Sequence, residues 1–137
     1  MMQKLILSIA LGWVIAKIIK AIIDLKKNKI LAWKDFFRDG GMPSLHTAFV
    51  VATATSLYLE TGLSYTFILS VVMALIVMND AMKVRWITGE QSKSINQLMA
   101  KKKGYAKLEE RVGHTPAEVF MGLLIGVLVP YLVYSLL

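Results

Sequence analysis

The stretch LSYTFILSVVMALIVMNDAM, residues 63–82, decides the class of this protein. From Ser70 to Met78 every residue after the serine is apolar, and the stretch has about the 20 residues that an α-helix needs to cross a bilayer. Three more apolar runs lie at approximately residues 5–23, 43–59 and 117–137. We therefore expect an all-α fold, a polytopic membrane bundle of about four spanning helices.

The composition supports this assignment. Of the 137 residues, 56% are hydrophobic and 18% are charged, and the mean hydropathy is +0.58. Soluble domains carry about 25% charged residues. We expect a single membrane-embedded domain over residues 1–137, which is too short for an additional soluble module. The chain has no cysteine, which excludes disulfides and thiolate chemistry.

The first apolar run contains four residues that interrupt it at helical spacing: Trp13, Lys17, Lys20 and Asp24. They would form one stripe on an otherwise apolar helix. One interpretation is a tilted spanning helix whose lysines reach the headgroups. The other is a helix that lies in the interface with its apolar face in the lipid.

Basic residues are concentrated on two connections. The net charge is +7, and 13 of the 16 lysines and arginines lie either between the first two runs or between the last two. The connection at residues 60–64 has none. With four spans the two basic connections share one face, and this excess of positive charge is typical of the cytoplasmic side. We expect a multi-pass protein of the cytoplasmic membrane that binds anionic lipid rather than nucleic acid.

The long second connection should hold a short amphipathic helix over Gln91–Lys103, with Ile95, Leu98 and Met99 on its apolar side. The segment at residues 101–104 would end it. In the last run, Gly122 and Gly126 stand at the small-xxx-small spacing that suits close packing of membrane helices, so they could serve a homodimer.

Chemically capable residues first appear in RDGGMPSLH, residues 38–46. Paired glycines permit a tight turn, Pro43 suits a first helical turn and Ser44 suits a cap. Backbone N–H groups at such a helix start bind anions, and Arg38 just before the turn could hold a phosphate. His46 would lie within reach of a group bound there. A capped helix with an interfacial histidine is the alternative.

A second such segment is GHTPAE, residues 113–118. Thr115 to Glu118 matches a capping box, with Pro116 at the first helical position. The cap alone explains these three residues but not His114. A carboxylate that accepts a proton from one imidazole nitrogen leaves the other nitrogen nucleophilic, so His114 and Glu118 could form a catalytic pair.

These are the only two histidines, and both precede or open helices that begin on the same predicted face. One imidazole could attack phosphorus while the other protonates the leaving oxygen and cations hold the remaining oxygens. Two histidines do not supply the usual ligand count of a zinc centre, so we expect neither metal nor cofactor. At the end of the third run, Asp80 should face the bundle interior and either orient Arg85 or position a ligand, unless it only pairs with Lys83.

Together these segments resemble the divergent branch of the type 2 phosphatidic acid phosphatase superfamily, the membrane proteins related to acid phosphatases and vanadium-dependent haloperoxidases. The resemblance covers about two-thirds of the chain, from Gly40 to the last span. Its matching residues are Gly40-Gly41-Met42-Pro43-Ser44-Leu45-His46-Thr47-Ala48, Asp80-Ala81, Val84-Arg85, Gly89, Gln91, Asn96, Gly113-His114-Thr115-Pro116 and Glu118-Val119.

The resemblance implies that His114 is the phosphate-accepting nucleophile, Glu118 its carboxylate partner and His46 the acid for the leaving group. It also implies that Ser44 contacts phosphate and that Arg38 replaces the arginine of the first motif. From the residues and the resemblance together, we expect a set of phosphate-binding residues comprising Arg38, Gly41, Ser44, Arg85, Lys34 and Arg111, and a supporting set comprising Asp80, Lys83, Gln91 and Asn96. Four features depart from the superfamily pattern: Arg38 precedes aspartate rather than proline, Leu45 replaces glycine, Glu118 replaces aspartate, and no serine-arginine pair precedes His114. Four spans are also fewer than the usual six.

The expected function is a membrane-embedded hydrolase that removes phosphate from a lipid phosphate or isoprenoid diphosphate through a phosphohistidine, without metal. The expected partners are this phospholipid or isoprenoid phosphate substrate and the membrane. A non-catalytic protein that binds phospholipid headgroups, or a scaffold, is the alternative. The two histidines discriminate, because a scaffold needs neither as a titrating group.

Overall fold

The computed structural model describes residues 2–28, 40–110 and 112–137, and these residues form helices and connections without any strand. The chain is therefore an all-α bundle, as predicted. A π-helical turn, Asp80–Val84, joins the third helix to the fourth. The α-helices are α1 (Met2–Asn28), α2 (Leu45–Thr61), α3 (Tyr65–Asn79), α4 (Arg85–Met99) and α5 (Pro116–Leu136).

Helix α2 is the centre of the bundle, and α1, α3 and α5 all pack against it. Its contact with α5 is especially close because two glycines of α5 face it. A Cβ atom at Gly122 would lie 2.5 Å from the carbonyl oxygen of Ser44, and one at Gly126 would lie 2.7 Å from Cβ of Val51. These glycines therefore pack against α2 within one chain, on the face that was predicted to serve a homodimer. A homodimer through another surface stays a prediction.

Hydrogen bonds at the two ends of the bundle fix the helix directions. At one end, the backbone N–H of Ser44 donates to the carbonyl oxygen of Glu118 over 2.9 Å. At the other end, the Tyr134 hydroxyl donates to Oε1 of Glu60 over 2.7 Å. Helices α2 and α5 are therefore parallel and begin together, at what we call the histidine end.

Helix α1 runs antiparallel to α2. The hydroxyl of Ser56, near the far end of α2, donates to Oγ of Ser8 over 3.1 Å, whereas Lys20 lies beside Gly41 at the histidine end. Because α1 follows the length of α2, the packing supports a helix that crosses with the bundle over one that lies flat in the interface.

Three stretches among the described residues are long and apolar enough to cross a membrane: Met2–Lys26, Tyr65–Met99 and Pro116–Leu136. Helix α2 has 17 residues, about 25 Å at 1.5 Å per residue, somewhat less than a hydrocarbon core of about 30 Å. The predicted count of about four spans thus comprises three full-length helices and the shorter central one.

The predicted loop helix is present, but it begins and ends earlier than Gln91–Lys103. It starts at Arg85 as a continuation of α3 and ends at Met99, and Gly104, with φ of 81°, follows it. Its buried residues are Gly89, Ser92 and Asn96. On the predicted apolar side, Ile95 and Leu98 are exposed, Leu98 at 84%, and Met99 is partly buried. Polar contacts to the following segment, rather than apolar burial, decide which side is covered.

Candidate active site

The start of α5 holds the candidate nucleophile. Thr115 caps the helix, and the capping box with Glu118 is complete, as predicted. His114 is buried, with 5% of its surface exposed. Its Nδ1 lies 3.2 Å from Oε2 of Glu118, which also accepts the backbone N–H of Thr115 over 3.0 Å. Because a carboxylate only accepts, Nδ1 carries the proton and Nε2 keeps its lone pair.

The start of α2 holds the second predicted segment. Gly40 and Gly41 take positive φ angles of 86° and 92°, which form the turn. Ser44 is the cap, so Pro43 precedes the helix instead of occupying its first turn as predicted. Oγ of Ser44 accepts from the hydroxyl of Thr47 over 3.0 Å. The Ser44 side chain is fully buried beneath the turn, whereas His46 on the first turn of α2 is exposed.

Lys20 is a further cation at this site, and it was not predicted there. It is 6% exposed, and its Cε lies 3.7 Å from the position of a Cβ at Gly41. Its charge also acts on the His114 imidazole. The expectation that Lys20 reaches the headgroups is wrong, because it turns into the bundle. A lysine inside an apolar run was the available signal, since ionisable residues in membrane helices commonly face functional interiors.

The electrostatics of His114 favour its neutral form. Burial is the largest cause and lowers the pKa of His114 below its ordinary value of 6.5. The hydrogen bond and charge of Glu118 oppose this effect, whereas the charges of Lys20 and His46 lower the pKa further. The nucleophilic form of His114 therefore predominates at neutral pH.

Asp80 and Arg85 form an ion pair, with Arg85 Nε 3.2 Å from Asp80 Oδ2. This agrees with the predicted orientation of Arg85 and not with a pair between Asp80 and Lys83. The prediction that Asp80 faces the bundle interior is wrong, since 45% of its side chain is exposed. Asp80 is the first residue of the π turn, and its carboxylate pairs with Arg85 just beyond that turn. Lys83 and Gln91 are also exposed.

A cavity of about 370 Å³ opens beside His114, between α4 and the segment that leads into α5. Glu118 forms part of its wall, and the other lining residues include both acidic and basic side chains. Five of the lining residues were not predicted: Trp86, Glu90, Lys93, Glu110 and Val112.

The predicted phosphate-binding residues Lys34, Arg38 and Arg111 lie outside the described residues. Within the described ranges, no three histidine, aspartate or glutamate side chains form a group that could hold a metal ion. The described site thus consists of a buried histidine–carboxylate pair, a second histidine, a buried lysine and two helix N-termini. Helix N-termini and a lysine attract anions, and a neutral imidazole can attack one.

The fold and this site define a helical membrane protein with a histidine–carboxylate pair at one end of its bundle. The model of the divergent PAP2 family matches residues 1–129, and the chain belongs to this family. It is similar to the uncharacterized membrane protein YuiD of Bacillus subtilis (strain 168), with 39% identity over 132 residues and 84% of each chain covered. No solved structure matches the chain.

Proposed function

We propose that this membrane protein is a phosphatase that removes phosphate from a lipid phosphate or isoprenoid diphosphate through a phosphohistidine at His114. The buried pair of His114 and Glu118 carries the proposal. A capping box explains Thr115 and Glu118, but it does not require a buried imidazole on the same carboxylate oxygen. Membership of the divergent PAP2 family supports the same reaction class.

The phosphate group would bind where α2 and α5 begin. The positive ends of the two helix dipoles point to this place, and the Lys20 ammonium lies beside the Gly41 turn. Little bulk water surrounds Lys20, so its attraction to a phosphate is weakly screened. We infer that Lys20 supplies a positive charge for phosphate binding, in addition to any charge from the basic connections.

In the first step, Nε2 of His114 attacks phosphorus and the bond from phosphorus to the leaving oxygen breaks. Protonated His46 gives its proton to that oxygen, which departs as the lipid alcohol or, from a diphosphate, as the lipid monophosphate. Glu118 accepts the Nδ1 proton in a hydrogen bond throughout and stabilises the positive charge that develops on the ring.

In the second step, water attacks phosphorus and the phosphorus–nitrogen bond breaks. His46, now neutral, takes the proton of that water. The products are inorganic phosphate and free His114, and His46 is again protonated for the next turnover. The exposed position of His46 suits this exchange, because both the leaving group and water must reach it.

The test is an assay of purified protein in lipid nanodiscs against a panel of lipid phosphate monoesters and isoprenoid diphosphates. We expect phosphate release that a chelator does not inhibit, that His114→Ala abolishes and that His46→Ala slows by about 100-fold or more. Binding of these lipids without turnover, unchanged in His114→Ala, would instead support the alternative of a headgroup-binding protein.

A further inference from the structure

The segment before α5 runs along α4 and carries His114 at its end. We call this segment the strap and define it as residues 105–110 and 112–114. Tyr105 contacts α4 at Asn96, Glu110 contacts it at Gly89, and Gly113 contacts it at Trp86. As residue numbers increase along the strap, the numbers of the α4 residues that it contacts decrease, so the two segments are antiparallel.

Asn96 fastens the strap to α4. Its Nδ2 donates to the carbonyl oxygen of Leu108 over 2.9 Å and to Oε1 of Glu110 over 2.8 Å. Its Oδ1 accepts the hydroxyl of Tyr105 over 2.8 Å and the backbone N–H of Leu108 over 2.9 Å. These four bonds use both amide hydrogens and both oxygen lone pairs, and Asn96 is 8% exposed.

Two glycines let the strap approach α4 at backbone distance. A Cβ at Gly89 would lie 2.6 Å from the carbonyl oxygen of Glu110, and one at Gly113 would lie 2.7 Å from Cα of Trp86. Distances under 3.0 Å exclude any larger side chain unless the backbone moves. The strap is therefore held over its whole length and not at Asn96 alone.

The π turn completes the attachment. In an α-helix the N–H of Arg85 would bond the carbonyl of Ala81, four residues earlier. Here it bonds the carbonyl of Asp80, five residues earlier. The carbonyl oxygen of Ala81 instead accepts the backbone N–H of His114 over 3.0 Å. The extra residue in the turn thus provides the acceptor that fixes the backbone of His114.

We propose that Asn96 is a positioning residue: it anchors the strap so that His114 stays seated against Ala81 and paired with Glu118. The catalytic importance of this position rests on the proposed function, but the geometry can be tested without turnover. Release of the strap would expose His114 to water. Burial is the main cause of its lowered pKa, so exposure would move that pKa back toward 6.5.

The test uses thiol labelling, because the chain has no native cysteine. Val112→Cys reports on the strap, and Ala74→Cys, at a 5% exposed position of α3, reports on opening of the whole bundle. We expect Asn96→Ala to speed labelling at Val112→Cys by about tenfold or more and to cause no acceleration at Ala74→Cys. Gln97→Ala, at the exposed neighbouring position, is the matched control and should label at the unmodified rate.

The second readout is the ring of His114 followed by NMR in a His46→Gln background, where it is the only histidine. Asn96→Ala should raise the pKa of His114, and Gln97→Ala should not. Unchanged labelling and an unchanged pKa in Asn96→Ala would overturn the proposal. So would equal acceleration at Val112→Cys and Ala74→Cys, because that pattern means global rather than local opening.

Tyr105→Phe keeps the test decisive if Asn96→Ala does not fold. It removes one of the four bonds and leaves the ring in place. We expect a smaller acceleration, about threefold, at Val112→Cys; labelling at the unmodified rate would reject the anchor. If the protein passes these tests but has no phosphatase activity, Asn96 still positions His114 and only the proposed function fails.

Discussion

His114 and Thr115 share one acceptor, Oε2 of Glu118: the His114 ring nitrogen Nδ1 lies 3.2 Å from it and the Thr115 backbone nitrogen 3.0 Å. A single carboxylate oxygen therefore serves both the helix cap and the imidazole. These two roles respond differently to loss of charge, which makes Glu118 the residue where structure and catalysis can be separated.

Glu118→Gln should keep the fold and lose the activity. The amide oxygen can still accept from both partners, and glutamine also serves in capping boxes, so the unfolding temperature should change little. Without the negative charge the imidazolium-like transition state loses its support, and turnover should fall by at least about 100-fold. If Glu118→Gln is as active as the unmodified protein, Glu118 serves only the helix cap. Glu118→Ala, the control, should also lower stability, by about 1 kcal/mol.

The lowered pKa of His114 predicts how stability depends on pH. The unfolded state binds a proton at a pKa near 6.5, and the folded state binds it only at lower pH. Below 6.5 the unfolded state therefore holds more protons, and stability falls as the pH decreases through this window. Thermal unfolding between pH 8 and pH 5 should show this loss, and His114→Gln should reduce it. If stability depends on pH equally steeply in His114→Gln, the lowered pKa of His114 does not cause this loss.

Lys20→Met should weaken the binding of inorganic phosphate or vanadate by about tenfold or more, because it removes a buried charge and keeps an apolar stem. Lys17→Met is the matched control. Lys17 lies one turn earlier, where its Nζ is 4.4 Å from the centre of the Trp13 ring, and its loss should not alter anion binding. Chemical shifts of the His114 ring in an anion titration would measure both affinities. If Lys20→Met and Lys17→Met bind the anion with equal affinity, Lys20 does not contribute to anion binding.

The sequence predicted those features that depend on neighbours along the chain. The apolar run of α3 and the capping box of Thr115 and Glu118 are local patterns, and both are present. The burial of Lys20 depends instead on how α1 meets the Gly41 turn, and no local pattern records it. The acceptor role of Ala81 arises from a π turn and involves a carbonyl group that every residue possesses. Gly122 and Gly126 were predicted as a packing surface, but their partner, α2, could not be chosen from spacing alone.

The side of the membrane that the site faces is a prediction from charge. The connection near residues 101–107 is basic and the turn at residues 60–64 is not, so the histidine end should face the cytoplasm and its substrates should come from the inner leaflet. Leu63→Cys and Ala106→Cys both lie at exposed positions. On intact cells an impermeant thiol reagent should label Leu63→Cys and spare Ala106→Cys. The reverse pattern would move the substrate to the outer leaflet.

Trapping the covalent intermediate tests the central claim most directly. Protein mixed with a lipid phosphate that it hydrolyses, and quenched during turnover, should carry acid-labile phosphate. Mass spectrometry under alkaline conditions should place this phosphate on His114. His46→Ala should still form this intermediate, but more slowly, because the first step then lacks only the acid that protonates the leaving group. Phosphate on another residue, or release of phosphate by His114→Ala at the unmodified rate, would contradict the account.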